Sequence, residues 1–403
     1  MTTFKTAESV CEGHPDKLCD YIADSVLDAC LAVDKYSRVA CEAMATKGHI
    51  IVAGEITCRG NVNIRKIVSK ALRERGYDPR AFKIDIYIHR QSKDISNGVD
   101  DSLEARDGNE RYNGAIGAGD QGTVYGYATN ETAEYLPLSL VLAHRICEGI
   151  DEARKLGKLT GIKSDGKAQV TVEYENEIPK RVKSVVVSVQ HDKEKSPFSL
   201  FYEIKHLVLL NVFKDFPLDC DTEILINPSG KFIEGGPDAD TGLTGRKIMV
   251  DTYGGLAAHG GGAFSGKDPT KVDRSGAYMA RHIAKNIVAS GLSEKCEVAV
   301  SYAIGKAELV AVNVNTFGTS AFPDKYIRDI IRRVFDMTPG WIIRYFGLRT
   351  RRYAPTSLYG HFSCPLYPWE VLNKVGEISE IVANDLKEDI GGITIELKEN
   401  QIS

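Results

Sequence analysis

The sequence has no long hydrophobic run and no strong excess of charge of one sign. Its densest apolar stretch, Leu207 to Leu210, ends at Asn211, far short of the ~18 residues that a membrane-spanning helix needs. Among 403 residues, 51 Lys and Arg against 55 Asp and Glu leave a net charge of −4. That balance argues against a nucleic-acid coat and a basic membrane-surface protein. We therefore expect neither a membrane nor a nucleic-acid partner.

The sequence also lacks a cysteine framework. Its nine cysteines are an odd number and none forms a C-x-x-C pair, so zinc-site spacing is absent and a set of disulfides is not expected. We predict that most of them are small buried residues. The first ten residues lack the charged-then-apolar pattern of a secretory signal, which leads us to expect a cytoplasmic protein.

Three segments that alternate apolar and polar residues have the pattern of β-hairpins. They cover residues 38–57, 169–190 and 297–316. The alternating runs start at Val39, Gln169 and Glu297, with spacings of 130 and 128 residues. Such a period indicates an internal repeat.

Helix-like stretches flank every hairpin. They cover residues 17–33, 131–156 and 274–290 before the hairpins, and 62–75, 199–213 and 325–335 after them. The first two units continue into extended runs, residues 82–91 and 222–227. We predict an α+β sheet-plus-helix unit used three times, each sheet apolar on one face and covered by helices. The expected domains are residues 1–99, 114–232 and 234–372.

A glycine-rich loop carries the most unusual composition. Residues 251–271 read DTYGGLAAHGGGAFSGKDPTK, and glycines let several backbone N–H groups approach one anion. Residues 261–267 fit G-x-x-x-x-G-K, but Asp268 stands where a P-loop needs Ser or Thr. If the segment is helical, Lys267 and Lys271 share a face, and Asp273 could hold a hard cation. We interpret it as a phosphate-binding loop of another kind.

Three more glycine-bounded loops carry charged residues, two of them of both signs and one an aspartate alone. They are residues 240–247 (DTGLTGRK), 117–122 (GAGDQG) and 12–17 (EGHPDK). The last lies at a predicted helix start, where the helix dipole favours an anionic ligand. Together the four loops offer Lys and Arg for phosphate oxygens, Asp for Mg²⁺ and amides between them. They predict a polyphosphate site.

We assign no chemical role to three aspartates of the first predicted helix or to most of the histidines. Asp20, Asp24 and Asp28 follow Asp16 at intervals of four, and we interpret these three as a solvated stripe opposite the apolar face of the helix. The histidines other than His14 lack metal-ligand spacing, and no role is assigned to them.

At these loops the sequence resembles the S-adenosylmethionine synthetase (methionine adenosyltransferase) family. The resemblance runs from about Thr6 to about Trp369 and rests on GHPDK (13–17), GAGDQG (117–122), GLTGRK (242–247) and GGGAFSGKDPTKVDRS (260–275). It implies three similar βαβ-type α+β domains related by pseudo-threefold symmetry, which agrees with the repeat.

The resemblance also implies a reaction. The methionine sulfur attacks C5′ of ATP and expels tripolyphosphate, which is then cleaved to pyrophosphate and phosphate. The implied cofactors are two Mg²⁺ and one K⁺ per site. The implied assembly is a homodimer with shared active sites, with a dimer of dimers expected.

Site residues are carried over from the family position by position. The implied catalytic residues are His14, Lys167, Arg246, Lys267 and Lys271. The implied ATP-binding residues are His14, Asp165, Gly166, Lys167, Lys231, Phe232, Asp240, Arg246, Lys247, Ala263 and Lys267. The implied methionine-binding residues are Glu55, Gln91, Asp120, Asp240 and Lys271. The implied metal ligands are Asp16 and Asp273 for Mg²⁺ and Glu42 for K⁺.

Residues 92–114 are charged and interrupted by glycine and asparagine, and we interpret them as a mobile lid over the methionine side of the site. A passive linker is the alternative. Two rival functions stay open at this point: a phosphotransferase that uses residues 261–267, and a non-catalytic regulatory subunit that binds nucleotide.

Overall fold

The computed structural model describes residues 1–91, 101–112 and 114–389. Its longer helices are α1 (Pro15–Val33), α2 (Ile64–Glu74), α3 (Leu138–Lys155), α4 (Pro197–Ile204), α5 (Val272–Ala289), α6 (Asp324–Val334), α7 (Pro339–Tyr345) and α8 (Val375–Asp389). Its strands are β1 (Thr2–Val10), β2 (Arg38–Thr46), β3 (His49–Thr57), β4 (Lys83–His89), β5 (Gly122–Thr129), β6 (Ile162–Glu175), β7 (Ile178–His191), β8 (Glu223–Ile226), β9 (Gly242–Leu243), β10 (Lys295–Tyr302) and β11 (Ala311–Asn315).

The strands form three sheets, with the orders β1-β6-β7-β8, β11-β10-β5 and β4-β3-β2-β9. The predicted hairpins are the antiparallel pairs β2–β3, β6–β7 and β10–β11. The predicted helices and extended runs are present within a few residues, apart from the second, which begins at Leu138 rather than residue 131. The α+β class predicted from the pattern is confirmed.

Each sheet recruits one strand from a distant part of the chain. β1 pairs antiparallel with β6, β5 with β10, and β9 with β2. These exchanges link the three sequence units to one another. They also bring loops that are far apart in sequence to one end of α1.

The apolar face of α1 packs on the inner face of the β4-β3-β2-β9 sheet. Leu18, Ile22 and Val26 are fully buried in the larger core cluster. In β2, residues 39, 41, 43 and 45 alternate as buried positions. The outward positions between them include Glu42, which therefore lies on the sheet face opposite α1.

The predicted solvated stripe on α1 is wrong. Asp20 and Asp24 are fully buried, and Asp28 is partly buried. Each carboxylate accepts backbone N–H groups from a loop that crosses the helix, the first from Gly245 at 2.8 Å. A four-residue spacing of acids looks the same whether water or a loop lies above it, so the pattern alone could not distinguish the two cases.

The cysteine prediction is confirmed, since all nine are free and six are buried: Cys11, Cys19, Cys30, Cys41, Cys147 and Cys296. No described helix is both long and apolar enough to cross a membrane. The predicted lid lies partly outside the described residues, which omit 92–100 and 113. The described remainder includes a short helix, Leu103–Arg106, and Glu104 accepts from the backbone N–H of Ala307 at 2.9 Å.

Candidate active site

His14 caps the N-terminus of α1. Its Nδ1 accepts the backbone N–H of Asp16 at 3.2 Å, and Pro15 occupies the first helical position, where a missing N–H costs nothing. Burial and the neighbouring Lys247 ammonium lower the pKa of His14 to about 3, with Lys167 acting in the same direction. The ring is therefore neutral at pH 7, and because Nδ1 accepts, its proton sits on Nε2.

Asp16 is buried at the same helix end and tied to the GLTGRK loop. Its carboxylate accepts the backbone N–H of Leu243 at 3.0 Å and the Lys247 ammonium at 2.7 Å. The Arg246 guanidinium lies 3.7 Å away. Burial opposes ionisation, but the Lys247 and Leu243 hydrogen bonds outweigh it and lower the pKa of Asp16. The carboxylate is thus an ionised oxygen donor among cations.

The start of β6 runs beside the His14 loop. The N–H of Gly13 donates to the carbonyl of Ser164 at 3.1 Å, and Cys11 donates to that of Gly166 at 2.9 Å. Lys167 pairs in register with Val10 and its side chain is exposed. Asp165 accepts the N–H of Gly236 at 2.7 Å, while burial raises the pKa of its carboxyl to about 6.

The segment before Gly236 supplies the remaining candidates on this side. Phe232 exchanges hydrogen bonds with His191, which places residue 231 beside the end of β7. Lys231 and Asp240 are both exposed. The negative charge of Asp240 contributes to the raised pKa of Asp165. We call His14, Asp16, Lys167, Arg246 and Lys247 the helix-start cluster.

The glycine-rich loop brings together a second set of charges. Lys267 forms an ion pair with Asp273 in the first turn of α5. The loop is fixed to β2, because Cys41 donates its N–H to the carbonyl of Gly266 at 2.9 Å. Gly266 has φ +79°, and a side chain there would collide with the Cys41 carbonyl oxygen. Only glycine fits this crossing.

The condition under which Lys267 and Lys271 would share a helix face is not met. α5 begins only at Val272, so both lysines precede it. Lys271 pairs with Asp268 instead. Asp268 is buried and also accepts the N–H of Val39 at 2.7 Å. It anchors the loop to β2, which explains why an acid stands where a P-loop has a hydroxyl.

Asp120 approaches this second set from the preceding loop. Gly119 donates its N–H to the carbonyl of Thr270 at 3.0 Å. Asp120 itself is exposed and accepts the N–H of Gln121 at 2.8 Å. We call Asp120, Ala263, Lys267, Lys271 and Asp273 the glycine-loop cluster.

The two clusters meet where the GLTGRK loop touches the glycine-rich loop. A Cβ added to Gly245, which has φ +78°, would lie 2.5 Å from the Cβ of Ala263. The two loops, with the predicted ATP-binding residues that they carry, therefore form adjoining parts of one surface of the chain.

Three predicted residues stand apart from that surface. Glu42 and Glu55 lie on the outer face of the β4-β3-β2-β9 sheet, opposite the face that carries α1. Glu55 pairs with His89 at 3.0 Å. Gln91 follows β4 and donates its N–H to Thr57 at 3.3 Å, and its Oε1 is buried without a hydrogen-bond partner. Within one chain, Glu42 and Glu55 on this face are separated from the helix-start cluster by the sheet.

The sequence interpretation missed a buried glutamate behind His14 that is surrounded by three cations. Glu12 is fully buried and accepts Arg75 at 2.9 Å and Lys155 at 2.6 Å, with Arg154 on its other oxygen. Tyr77 also donates to the carbonyl of Gly13 at 2.5 Å. The glutamate lies inside the EGHPDK loop, so its position next to the motif was the available signal.

Comparison with known proteins covers nearly the whole chain. Models of the N-terminal, central and C-terminal domains of S-adenosylmethionine synthetase match residues 2–98, 115–232 and 234–371. The S-adenosylmethionine synthase of Clostridium botulinum (strain Alaska E43 / Type E3) is 49% identical over 391 residues, covering 95% of this chain and 100% of the relative. That of Thermus thermophilus is 51% identical over 383 residues, covering 92% of this chain and 96% of the relative.

A third relative, the S-adenosylmethionine synthase of Finegoldia magna, is 50% identical over 366 residues, covering 89% of this chain and 93% of its own. These matches span all four glycine-bounded loops and both charge clusters. The family recognised from the motifs is confirmed, and a non-catalytic regulatory subunit is not favoured. The chain belongs to the S-adenosylmethionine synthetase family, whose members are methionine adenosyltransferases.

Proposed function

We propose that this site joins ATP to L-methionine at the start of α1. The observation that carries the proposal is the position of His14 at a helix N-terminus among cations of the helix-start cluster, with its Nδ1 occupied by the Asp16 N–H. The methionine sulfur forms a bond to C5′ as the C5′–O5′ bond breaks, and the bonding electrons leave on O5′. A neutral thioether needs no general base, so the site has to stabilise the leaving tripolyphosphate.

His14 suits the position beside O5′. Its Nδ1 is occupied by the Asp16 N–H, so Nε2 is the atom that donates toward a ligand. O5′ gains charge mainly in the transition state, and a donor aimed there accelerates the chemical step rather than binding. Lys167, Arg246 and Lys247 are assigned to the phosphates, and water then cleaves the tripolyphosphate to pyrophosphate and phosphate.

The glycine-loop cluster is assigned to the other end of the polyphosphate and to methionine. Lys267 and Ala263 are placed against ATP, as are Asp165, Gly166, Lys231 and Phe232 from the helix-start side. Lys271 and Asp120 are placed against the charged groups of methionine, with Asp240 between the two substrates. Lys267 pairs with Asp273 and Lys271 with Asp268 in the free protein. Binding therefore requires each lysine to exchange a carboxylate for a substrate oxygen.

The residues fit Mg²⁺ through their chemistry. Among the described residues no group of three or more potential ligands forms a ready-made metal site, yet Asp16 and Asp273 are each held by a lysine. Mg²⁺ is usually bound by one or two carboxylates together with substrate phosphates and water. We assign one Mg²⁺ to each aspartate and K⁺ to Glu42. When bound, the cations neutralise charge on the polyphosphate oxygens.

We further propose that two chains complete each other's sites. Glu42 and Glu55 lie on the sheet face away from α1 and Gln91 follows β4 of the same sheet, so they reach ATP and methionine at a site whose helix-start cluster comes from another copy. A homodimer with shared sites is then the smallest active unit, and a dimer of dimers is its expected assembly. The cytoplasm is the expected compartment.

The direct test is a complementation of two inactive variants. His14→Asn and Glu55→Gln should each be inactive alone, because one loses the O5′ donor and the other a methionine contact. Mixed and exchanged, they should recover up to about one quarter of wild-type activity, since heterodimers hold one intact site. Sulfonium formation from ATP, methionine, Mg²⁺ and K⁺ is the assay. No recovery despite verified heterodimers would contradict shared sites, and an inactive wild type would contradict the reaction.

A further inference from the structure

Four aspartates on α1 form a ladder that holds the substrate loops. Asp16, Asp20, Asp24 and Asp28 recur every four residues and so share one side of the helix. We propose that Asp20 and Asp24, to which no role was assigned, are positioning residues that hold the GLTGRK loop and the glycine-rich loop in register for ATP.

Asp20 fixes the first of these loops. Its Oδ1 accepts the N–H of Gly245 at 2.8 Å, one residue before Arg246. Its other oxygen accepts the Lys17 ammonium at 3.0 Å. Lys17 also pairs with Asp251, so the carboxylate is fully buried but balanced. Because Asp20 is part of a rigid helix, its carboxylate fixes the distance between the GLTGRK loop and α1.

Asp24 fixes the second loop one turn further along. Its Oδ1 accepts the N–H of Gly266 at 2.8 Å, one residue before Lys267. Both oxygens accept hydrogen bonds from Arg274, at 2.7 and 2.9 Å. Arg274 also reaches the carbonyl of Lys267 at 3.4 Å. Asp24 therefore controls the backbone on either side of a proposed ATP-binding cation.

The spacing of the aspartates along α1 determines where the two loops are attached to the helix. Successive rungs are separated by four residues, about 6 Å of helix rise, and the first three rungs hold Leu243, Gly245 and Gly266. The two loops also touch at Gly245 and Ala263, so α1 and this contact together hold the backbone beside both sets of cations. A backbone held in this way does not have to rearrange when charge develops on the leaving group.

Asp28 is the built-in control. It makes the same kind of contact, accepting the N–H groups of Tyr353 at 2.6 Å and Ala354 at 3.0 Å. Those residues belong to neither charge cluster. The same substitution at Asp20 and at Asp28 therefore removes a comparable anchor, but only the first anchor leads to the proposed ATP site.

The test compares Asp20→Asn, Asp20→Leu and Asp28→Leu as full-length enzymes. The Asn carbonyl still accepts the Gly245 N–H while its NH2 faces the Lys17 ammonium, so Asp20→Asn should lose thermal stability but keep kcat and the KM for ATP within about threefold of wild type. Asp20→Leu should raise that KM and lower kcat, each by about tenfold or more. Asp28→Leu should lose a similar amount of thermal stability with both constants unchanged. Wild-type constants in Asp20→Leu, or an equal loss in Asp28→Leu, would overturn the proposal.

A second measurement does not depend on the variants folding. The proposal, which rests on the site proposed above, requires the Gly245 and Gly266 amides to be protected from hydrogen exchange in wild-type enzyme without substrates. Fast exchange at both amides would refute the ladder whether or not the enzyme makes the sulfonium. Slow exchange in an enzyme that does not make the sulfonium would instead contradict the proposed function and leave the ladder in place.

Discussion

The helix-start cluster and the glycine-loop cluster carry similar charges but are built differently. In the first, His14 is 8% exposed and Asp16 is 2% exposed, and both are fixed by the end of a nineteen-residue helix. In the second, the lysines lie on a loop before α5 and are paired with acids of that same segment. The first cluster holds its histidine donor in place, although its Lys247 is also paired with Asp16, while both lysines of the second cluster are paired with acids.

That difference assigns different work to the two clusters. A buried, preorganised donor acts best on charge that appears only in the transition state. Exchangeable ion pairs suit recognition of charges that the substrates already carry, since each lysine trades one anion for another. Substitution of His14 should therefore lower mainly kcat, and substitutions of the glycine-loop lysines and of the two aspartates should change mainly the substrate and ion requirements.

The largest effect is expected at His14. His14→Ala should lower kcat by roughly 10²–10³-fold, the usual result of losing one transition-state donor, with little change in ATP affinity. His14→Asn should lose the same activity while keeping the helix cap, whose loss in the Ala variant costs about 1 kcal/mol of stability. Steady-state kinetics and thermal unfolding measure the two properties. An unchanged kcat with a raised KM for ATP would place His14 in recognition instead.

The two proposed Mg²⁺ ligands should respond alike despite their different settings. Asp16→Asn and Asp273→Asn each remove a charged oxygen donor, so each should raise the Mg²⁺ concentration for half-maximal activity by about tenfold or more. Magnesium titrations at saturating ATP and K⁺ give the measurement. If only Asp16→Asn shifts the titration, Asp273 is not a Mg²⁺ ligand and its role is to form the ion pair with Lys267.

A smaller and more selective effect is expected at Glu42. Glu42→Gln should blunt activation by K⁺ several-fold while the Mg²⁺ dependence stays close to that of wild type, because the residue lies on the far face of the sheet. Glu223→Gln, which changes an exposed acid on β8 away from both clusters, is a suitable control. A shift in Mg²⁺ dependence alone would contradict the assignment of separate cation sites.

The smallest expected effect concerns pH and the last rung of the ladder. Burial raises the pKa of Asp28 to about 6, although the N–H groups of Tyr353 and Ala354 oppose the shift. The folded protein then holds a proton that the unfolded chain has lost, so this group lowers the free energy of unfolding as pH rises from about 4 to about 6. Chemical unfolding across that range should show a shallower decline for Asp28→Asn. The exposed Asp221→Asn should follow wild type.

The sequence predicted the positions of helices and strands well, but it did not predict which distant strands pair with one another. Periods of 2 and 3.6 identified the hairpins and α1, because one face of each is buried against the core. The exchange of β1 into the sheet of β6 left no trace in the pattern, since alternation shows which face is buried but not which strand lies alongside.

Within the site, predictions succeeded where a motif fixes the backbone. They failed where a charged side chain could be either exposed to water or buried under a loop. His14 and Asp16 lie at a helix start as predicted, because Pro15 and the cap determine it. Asp20 and Asp24 were placed in water, although they are buried under loops from more than 220 residues away in sequence. Such partners depend on tertiary packing, which local spacing does not contain.

The exchange of β1 into the β6 sheet also has a consequence for how the chain is made. Val10 faces Lys167, 157 residues later, and the loop that contains His14 begins directly after Val10. At about 5–20 residues per second of synthesis, the first strand waits roughly 8 to 30 seconds for its partner to emerge. During that interval the strand has an open edge, as does β5 until β10 is made, so the nascent amino terminus is one of the segments that chaperones would have to protect.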